Sequence, residues 1–151
     1  MTFTDNTSPW SLADLFPGHD SPEMKKAFAE LETRITEFEA LRPQLSPHMS
    51  VEAFLDIVRR YEAIQHLGSR VFAFAGLSFS ANTQDQAIQT FMGNVEQMMA
   101  VAENRMLFFS LWWKDLPDAE ASRLMDASGD YSYWLEEMRH FKPHTLTEPE
   151  E

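Results

Sequence analysis

The residues with the clearest potential for chemistry are Glu137 and His140, which stand three positions apart near the end of the chain. The Glu-x-x-His spacing places both side chains on one helix face, as in di-iron helical bundles. A di-iron site needs two such pairs and two further glutamates, whereas the other candidate pair, Glu62 and His66, is four positions apart. We therefore interpret Glu137 and His140 as part of an acidic helix surface, with a bundle metalloenzyme kept as an alternative.

Other signatures of catalysis are absent from the sequence. The chain has no cysteine, which excludes disulfides, thiol nucleophiles and Cys-ligated zinc. It contains no His-Glu-x-x-His motif, no Gly-x-Ser-x-Gly nucleophile elbow and no Gly-x-x-x-x-Gly-Lys phosphate loop. The sequence thus predicts that this chain carries no catalytic, metal-ligating or cofactor-binding residues.

The balance of acidic and basic residues limits the kinds of molecule that the chain can bind. The 151 residues include 12 Lys and Arg and 24 Asp and Glu, which give a formal net charge of −12. This charge argues against binding nucleic acid or an anionic membrane, because both need basic side chains. Residues 1–9 lack the basic start and apolar run of a signal peptide, and no apolar stretch is long enough to span a bilayer. We expect a cytoplasmic protein.

Apolar residues recur at helical spacing along the chain, and they predict the helices that would position any functional site. Ser21 is a good N-cap for a first helix that Pro43 ends. The apolar stripe of this helix is Met24, Phe28, Leu31, Ile35, Phe38 and Leu41. Residues 51–81 and 84–114 continue such stripes over about 45 Å each, with a short joint between them. The pattern predicts one long antiparallel helical hairpin.

Two shorter helices complete the prediction of an all-α bundle with about five helices. The first follows Pro117, and the last begins near Asp130 and stops at Pro143. Residues 1–20 are too apolar for a free tail, so we expect an extended arm packed on a helical domain of residues 21–146.

Glycines interrupt the second helix pattern at two positions. Gly68 and Gly76 lie inside it. Each glycine costs about 1 kcal/mol relative to alanine in a helix. Bends or close helix packing are therefore expected there.

Two features suggest that this domain has a partner. The segment from Met106 to Trp113 is apolar all around a helix, so it must be covered on several sides by a partner, by a further domain or by the arm of residues 1–20. Residues 147–151 have the form of a helix start, with Thr147 and Glu150 at capping-box spacing. An acidic solvated tail is the alternative for these five residues.

Four segments resemble the N-terminal helical domain of oligoendopeptidase F, the bacterial branch of the thimet-oligopeptidase-like zinc metallopeptidases. They are residues 10–18 (Trp-Ser-Leu-Ala-Asp-Leu-Phe-Pro-Gly), 81–85 (Ala-Asn-Thr-Gln-Asp), 104–114 (Asn-Arg-Met-Leu-Phe-Phe-Ser-Leu-Trp-Trp-Lys) and 133–151, which opens with Tyr-Trp-Leu-Glu-Glu-Met-Arg-His. The likeness covers residues 8–151.

The resemblance implies a non-catalytic domain of a peptide-hydrolysing enzyme. In that family a His-Glu-x-x-His helix and a downstream Glu hold zinc, which activates water for peptide hydrolysis. No residue here matches those positions, so zinc and catalysis belong to the parent's catalytic domain, and residues 147–151 become the start of a truncated helix leading to it. The family's N-terminal region forms one wall of a channel that admits only short peptides. Its partners would be that catalytic domain and an oligopeptide substrate.

Two hypotheses follow from these observations: an inactive N-terminal domain of a zinc oligopeptidase, and a freestanding helical domain that binds other proteins. In the first, an apolar face normally covered by the rest of the enzyme should be exposed, and it would be buried by self-association as a two-fold homodimer. The residues predicted to form this interface are Phe108, Phe109, Trp112, Trp113, Tyr133, Trp134 and Phe141.

Overall fold

The computed structural model describes residues 11–145, and this part of the chain is an all-α bundle of five α-helices without a strand. The fold class predicted from apolar spacing is therefore confirmed. The helices are α1 (Pro22–Glu39), α2 (Val51–Ala81), α3 (Gln86–Asp115), α4 (Asp118–Asp126) and α5 (Ser132–His140). Over these residues no helix combines the length and apolar character that crossing a membrane requires. The predicted helix start at residues 147–151 lies outside the described residues.

Polar side chains set the first residue of each long helix. Ser21 Oγ accepts a hydrogen bond from the backbone N–H of Met24 at 3.1 Å, which caps α1. Ser50 Oγ accepts from the N–H of Ala53 at 3.2 Å and caps α2 in the same way. Helix α3 begins at residue 86 rather than at the predicted residue 84. The reason is Asp85, whose carboxylate accepts from the N–H of Ala87 at 2.8 Å and of Ile88 at 3.3 Å. The four residues 82–85 are thus the tight joint of the hairpin.

The hairpin of α2 and α3 is the centre of the bundle, and α1 packs against both of its helices. A Cβ added to Gly68 of α2 would lie 2.9 Å from Cε of Met99 on α3. Gly68 therefore permits close packing of α2 on α3. Of the two explanations offered for this glycine, a bend or close helix packing, the second applies. Gly76 faces open space instead, and α2 runs through both glycines without interruption.

The described part of the N-terminal arm, residues 11–20, contributes to the core next to α2. Phe16 is buried and meets Phe74 edge to face, with ring centroids 5.7 Å apart. The guanidinium of Arg70 lies 4.5 Å above the Phe16 ring and donates a hydrogen bond to the carbonyl of Leu15. These contacts fix residues 15–16 on α2, whereas Trp10 lies outside the described residues.

An ion network ties α3 to α1. Arg105 Nη1 donates to both carboxylate oxygens of Glu32 at 2.8 and 2.9 Å, and Arg105 Nε donates to Glu39 at 2.8 Å. Arg105 Nη2 also donates to Thr36 Oγ1 at 2.9 Å. The hydrogen bond from Arg105 is the main reason that the pKa of Glu32 lies below its ordinary value.

Candidate binding groove

The structure corrects the predicted interface at the end of α3. Phe108, Phe109 and Trp113 are buried in the chain's own core and cannot form an exposed face. The indole of Trp113 stacks on Phe54 at 5.1 Å, and its Nε1 donates to the carbonyl of Leu135 at 2.8 Å. The physical reason is that α5 folds back over α3, so the domain covers most of this segment itself.

The other four predicted interface residues have different surroundings. Trp112 and Trp134 are partly buried and pack against the core. Tyr133 and Phe141 are exposed by 70% and 62%. The seven residues thus divide among the core, its boundary and the solvent, instead of sharing one uncovered surface.

The pairs considered as metal ligands lie at the surface. Nδ1 of His140 is 3.2 Å from a carboxylate oxygen of Glu137, and both side chains are well exposed. Glu62 accepts a hydrogen bond from Tyr131, while His66 is exposed on α2. Within residues 11–145 no group of three His, Asp or Glu side chains comes close enough together to hold a metal ion.

An open groove of about 440 Å³ lies between α2 and residues 130–134, where α5 starts. We call it the groove between α2 and α5. Its lining residues are Val58, Tyr61, Glu62, Gln65, Asp130, Tyr131 and Trp134. The four from α2 follow the spacing 0, 3, 4 and 7, so they share one helix face. The other three come from the turn Gly129–Tyr131, which begins with Gly129 at φ +55°, and from the first turn of α5.

Two tyrosine hydroxyls organise the polar groups of the groove. The Tyr131 hydroxyl donates to Glu62 Oε2 at 2.8 Å, and this hydrogen bond raises the pKa of Tyr131 above its ordinary value. Gln65 Nε2 donates to the Tyr61 hydroxyl at 2.9 Å. Burial raises the pKa of Tyr61, with a smaller contribution from the charge of Glu103. Both tyrosines are therefore neutral at pH 7, and Glu62 is held beside the aromatic wall.

The aromatic wall of the groove is anchored in the core. The rings of Tyr61 and Trp134 lie 5.5 Å apart at an interplanar angle of 33°. On its core side, the Tyr61 ring contacts the rings of Phe38 and Phe109, with centroid distances of 5.7 and 5.5 Å. Because these contacts hold Tyr61 from behind, the wall of the groove is firmly positioned.

The groove carries more negative than positive charge. Glu62 and Asp130 are exposed among its lining residues. Arg59 is close enough for its charge to oppose the rise in the pKa of Tyr131, so one cation stands near one side. Aromatic rings beside carboxylates form a surface that attracts cations. Sequence reasoning missed this site, because Tyr61, Tyr131 and Trp134 fit the apolar stripes of separate helices.

Comparison with known proteins adds no relative. No protein-family model, no curated protein and no solved structure matches this chain.

Proposed function

We propose that this chain is the non-catalytic N-terminal domain of a zinc oligoendopeptidase, where it forms one wall of the channel that restricts substrates to short peptides. The likeness of residues 10–18, 81–85, 104–114 and 133–151 to oligoendopeptidase F supports this proposal, as does the all-α fold. A cytoplasmic location belongs to the same proposal. Zinc has no donor set among residues 11–145, since Glu137 and His140 form only an exposed pair. The resemblance assigns zinc binding and catalysis to the parent's catalytic domain.

The observation that carries the proposal is the open groove between α2 and α5. A channel wall has to offer a concave surface with both apolar contacts and hydrogen-bonding groups to a passing peptide. The apolar contacts come from the rings of Tyr61, Tyr131 and Trp134. The hydrogen-bonding groups are Glu62 and Gln65. The volume of about 440 Å³ accommodates side chains of an extended peptide but no folded domain.

Reading the gene downstream of the codon for Glu151 tests this proposal. We expect an open frame that encodes a His-Glu-x-x-His helix, and we expect the extended protein to hydrolyse short peptides with bound zinc. The chain of 151 residues by itself should neither hydrolyse peptides nor retain stoichiometric zinc through dialysis. A stop codon after Glu151 would contradict the proposal.

The alternative is a freestanding domain for protein–protein interaction, and the surface of the hairpin tip favours it. Residues 71–95 contain one formally charged residue, Asp85, whose carboxylate caps α3. Phe72 and Phe79 lie seven positions apart on one face of α2 and are exposed by 43% and 36%. Gly76 between them has open space where a Cβ would stand. In a protein of net charge −12, this weakly charged tip lets a second copy approach with little repulsion.

Sedimentation of the wild type at micromolar concentrations in low and high salt tests for a dimer, and the two variants below separate a dimer through the tip from the dimer through Tyr133 and its neighbours that the first hypothesis predicts. A dimer through the tip should strengthen with salt, because salt screens the repulsion between copies over about 8 Å at physiological strength. Phe72→Asp should abolish the dimer, while Tyr133→Asp, an exposed site outside the tip, should leave it intact. A wild type that stays monomeric at both salt concentrations would count against a homodimer.

A further inference from the structure

We propose that the groove between α2 and α5 binds the cationic side chain of a peptide, lysine or arginine. This inference depends on the proposed function, since it names the chemistry of the peptide that would contact the wall. Three observations support it: the aromatic rings, the two carboxylates and the hydroxyl that orients one of them.

The rings supply the apolar part of the recognition. Tyr61 and Trp134, with centroids 5.5 Å apart, present a joined aromatic wall, and Tyr131 lines the groove beside them. The methylene stem of a lysine or arginine can lie along such rings while its charged end remains in water. A cation within about 6 Å of a ring centroid is also attracted by the negative ring face, most strongly by Trp.

The carboxylates define the sign of the ligand's charge. Glu62 and Asp130 both line the groove, and the Tyr131 hydroxyl holds Glu62 Oε2 at 2.8 Å. Glu103 adds negative charge on the side of Tyr61, whereas Arg59 adds positive charge near Tyr131. The charged residues that line the groove, Glu62 and Asp130, are both carboxylates, and their charge repels an anionic ligand.

A neutral apolar side chain fits this chemistry less well. It would cover Glu62 and Asp130 in part without offering them a hydrogen bond or a charge. Moving these carboxylates out of water costs free energy that the single hydrogen bond from Tyr131 to Glu62 offsets only in part. A lysine or arginine covers the same rings and supplies donors to the same carboxylates. Charge complementarity therefore selects the cationic peptide among ligands of similar size.

Isothermal titration of the full chain with paired short peptides tests the inference. One pair carries lysine or norleucine at a central position, and the other carries arginine or citrulline. We expect the cationic member to bind about tenfold tighter, and the difference to shrink as salt is added. Equal affinities within each pair would overturn the inference while leaving peptide binding intact. If no peptide binds, the groove is not a peptide surface, and the downstream reading frame still tests the parent enzyme separately.

Matched variants connect the preference to the groove. Glu62→Gln removes one charge but keeps an oxygen that can accept from Tyr131. Asp130→Asn removes the charge of the exposed turn residue and keeps a side chain of similar size. Each should reduce the preference for the cationic peptide, and both together should remove most of it, leaving the smaller part that the aromatic rings and Glu103 supply. Glu96→Gln removes the same charge from an exposed position of α3 outside the groove and should leave the preference unchanged. A preference as large in the double variant as in the wild type would overturn the assignment.

Discussion

Replacing Trp113 by phenylalanine tests whether the end of α3 is anchored inside the domain. The indole is fully buried between α2 and α5, where it stacks on Phe54 and donates a hydrogen bond to the carbonyl of Leu135 at 2.8 Å. Arg139 lies across its ring at 5.7 Å and donates to the carbonyl of Trp113. The Trp113→Phe variant removes the hydrogen bond and part of the ring while it preserves an aromatic side chain.

Two losses determine the expected magnitude. The hydrogen bond to the carbonyl of Leu135 contributes about 1 kcal/mol. The smaller ring leaves a void on the order of 40 Å³, which lowers stability by about 1 kcal/mol at ~24 cal/mol per Å³. We therefore expect the free energy of unfolding to fall by about 2 kcal/mol.

Trp112→Phe is the matched control at the neighbouring position. This indole is only partly buried, so solvent can occupy the space that the smaller ring leaves. The expected loss is below about 1 kcal/mol. Urea denaturation followed by far-ultraviolet circular dichroism measures both variants. If Trp112→Phe destabilises the protein as much as Trp113→Phe does, the buried anchor described here is wrong.

Three further changes have defined expectations. Arg105→Met should lower the free energy of unfolding by about 1 kcal/mol at pH 7, because Glu32 is exposed and Glu39 is only partly buried. The folded-state pKa of Glu32 lies below its ordinary value, so the part of this contribution that Glu32 makes is complete above the unfolded pKa of about 4.3 and is lost as the pH falls through the folded pKa. Urea denaturation of both proteins at a series of pH values from 7 downward measures this loss. Gly76→Ala should raise the thermal midpoint, with a gain of about 0.5–1 kcal/mol, since the new methyl group meets nothing within 4 Å; an unchanged or lower midpoint in calorimetry would contradict this. Glu62→Gln should lower the pKa of Tyr131 towards its ordinary value, measured by ultraviolet titration of the phenolate against Tyr131→Phe.

The helical architecture could be predicted from the sequence because it depends on local chemistry. Apolar residues at spacings of three and four define one face per helix, and the caps at Ser21 and Ser50 are sequence-local. The predicted range 51–81 for the second helix agrees with α2, Val51–Ala81. The joint of the hairpin was predicted two residues short because Asp85 competes for the first N–H groups of α3.

Whether an apolar residue lies in the core or at the surface could not be predicted in the same way. Helical periodicity places Trp113 in the apolar stripe of its helix, but it does not show how α5 returns along the chain. Only the tertiary structure buries Trp113 under α5 and leaves Tyr133 in solvent.

The candidate groove was decided by the tertiary structure as well. Tyr61 and Glu62 lie on α2, whereas Tyr131 and Trp134 come from the turn and helix about 70 positions later. No spacing rule connects residues so far apart, because the crossing of the helices determines which faces meet. The sequence determined the rings, the carboxylates and the helices that carry them, and the packing of α5 against the bundle brought them together.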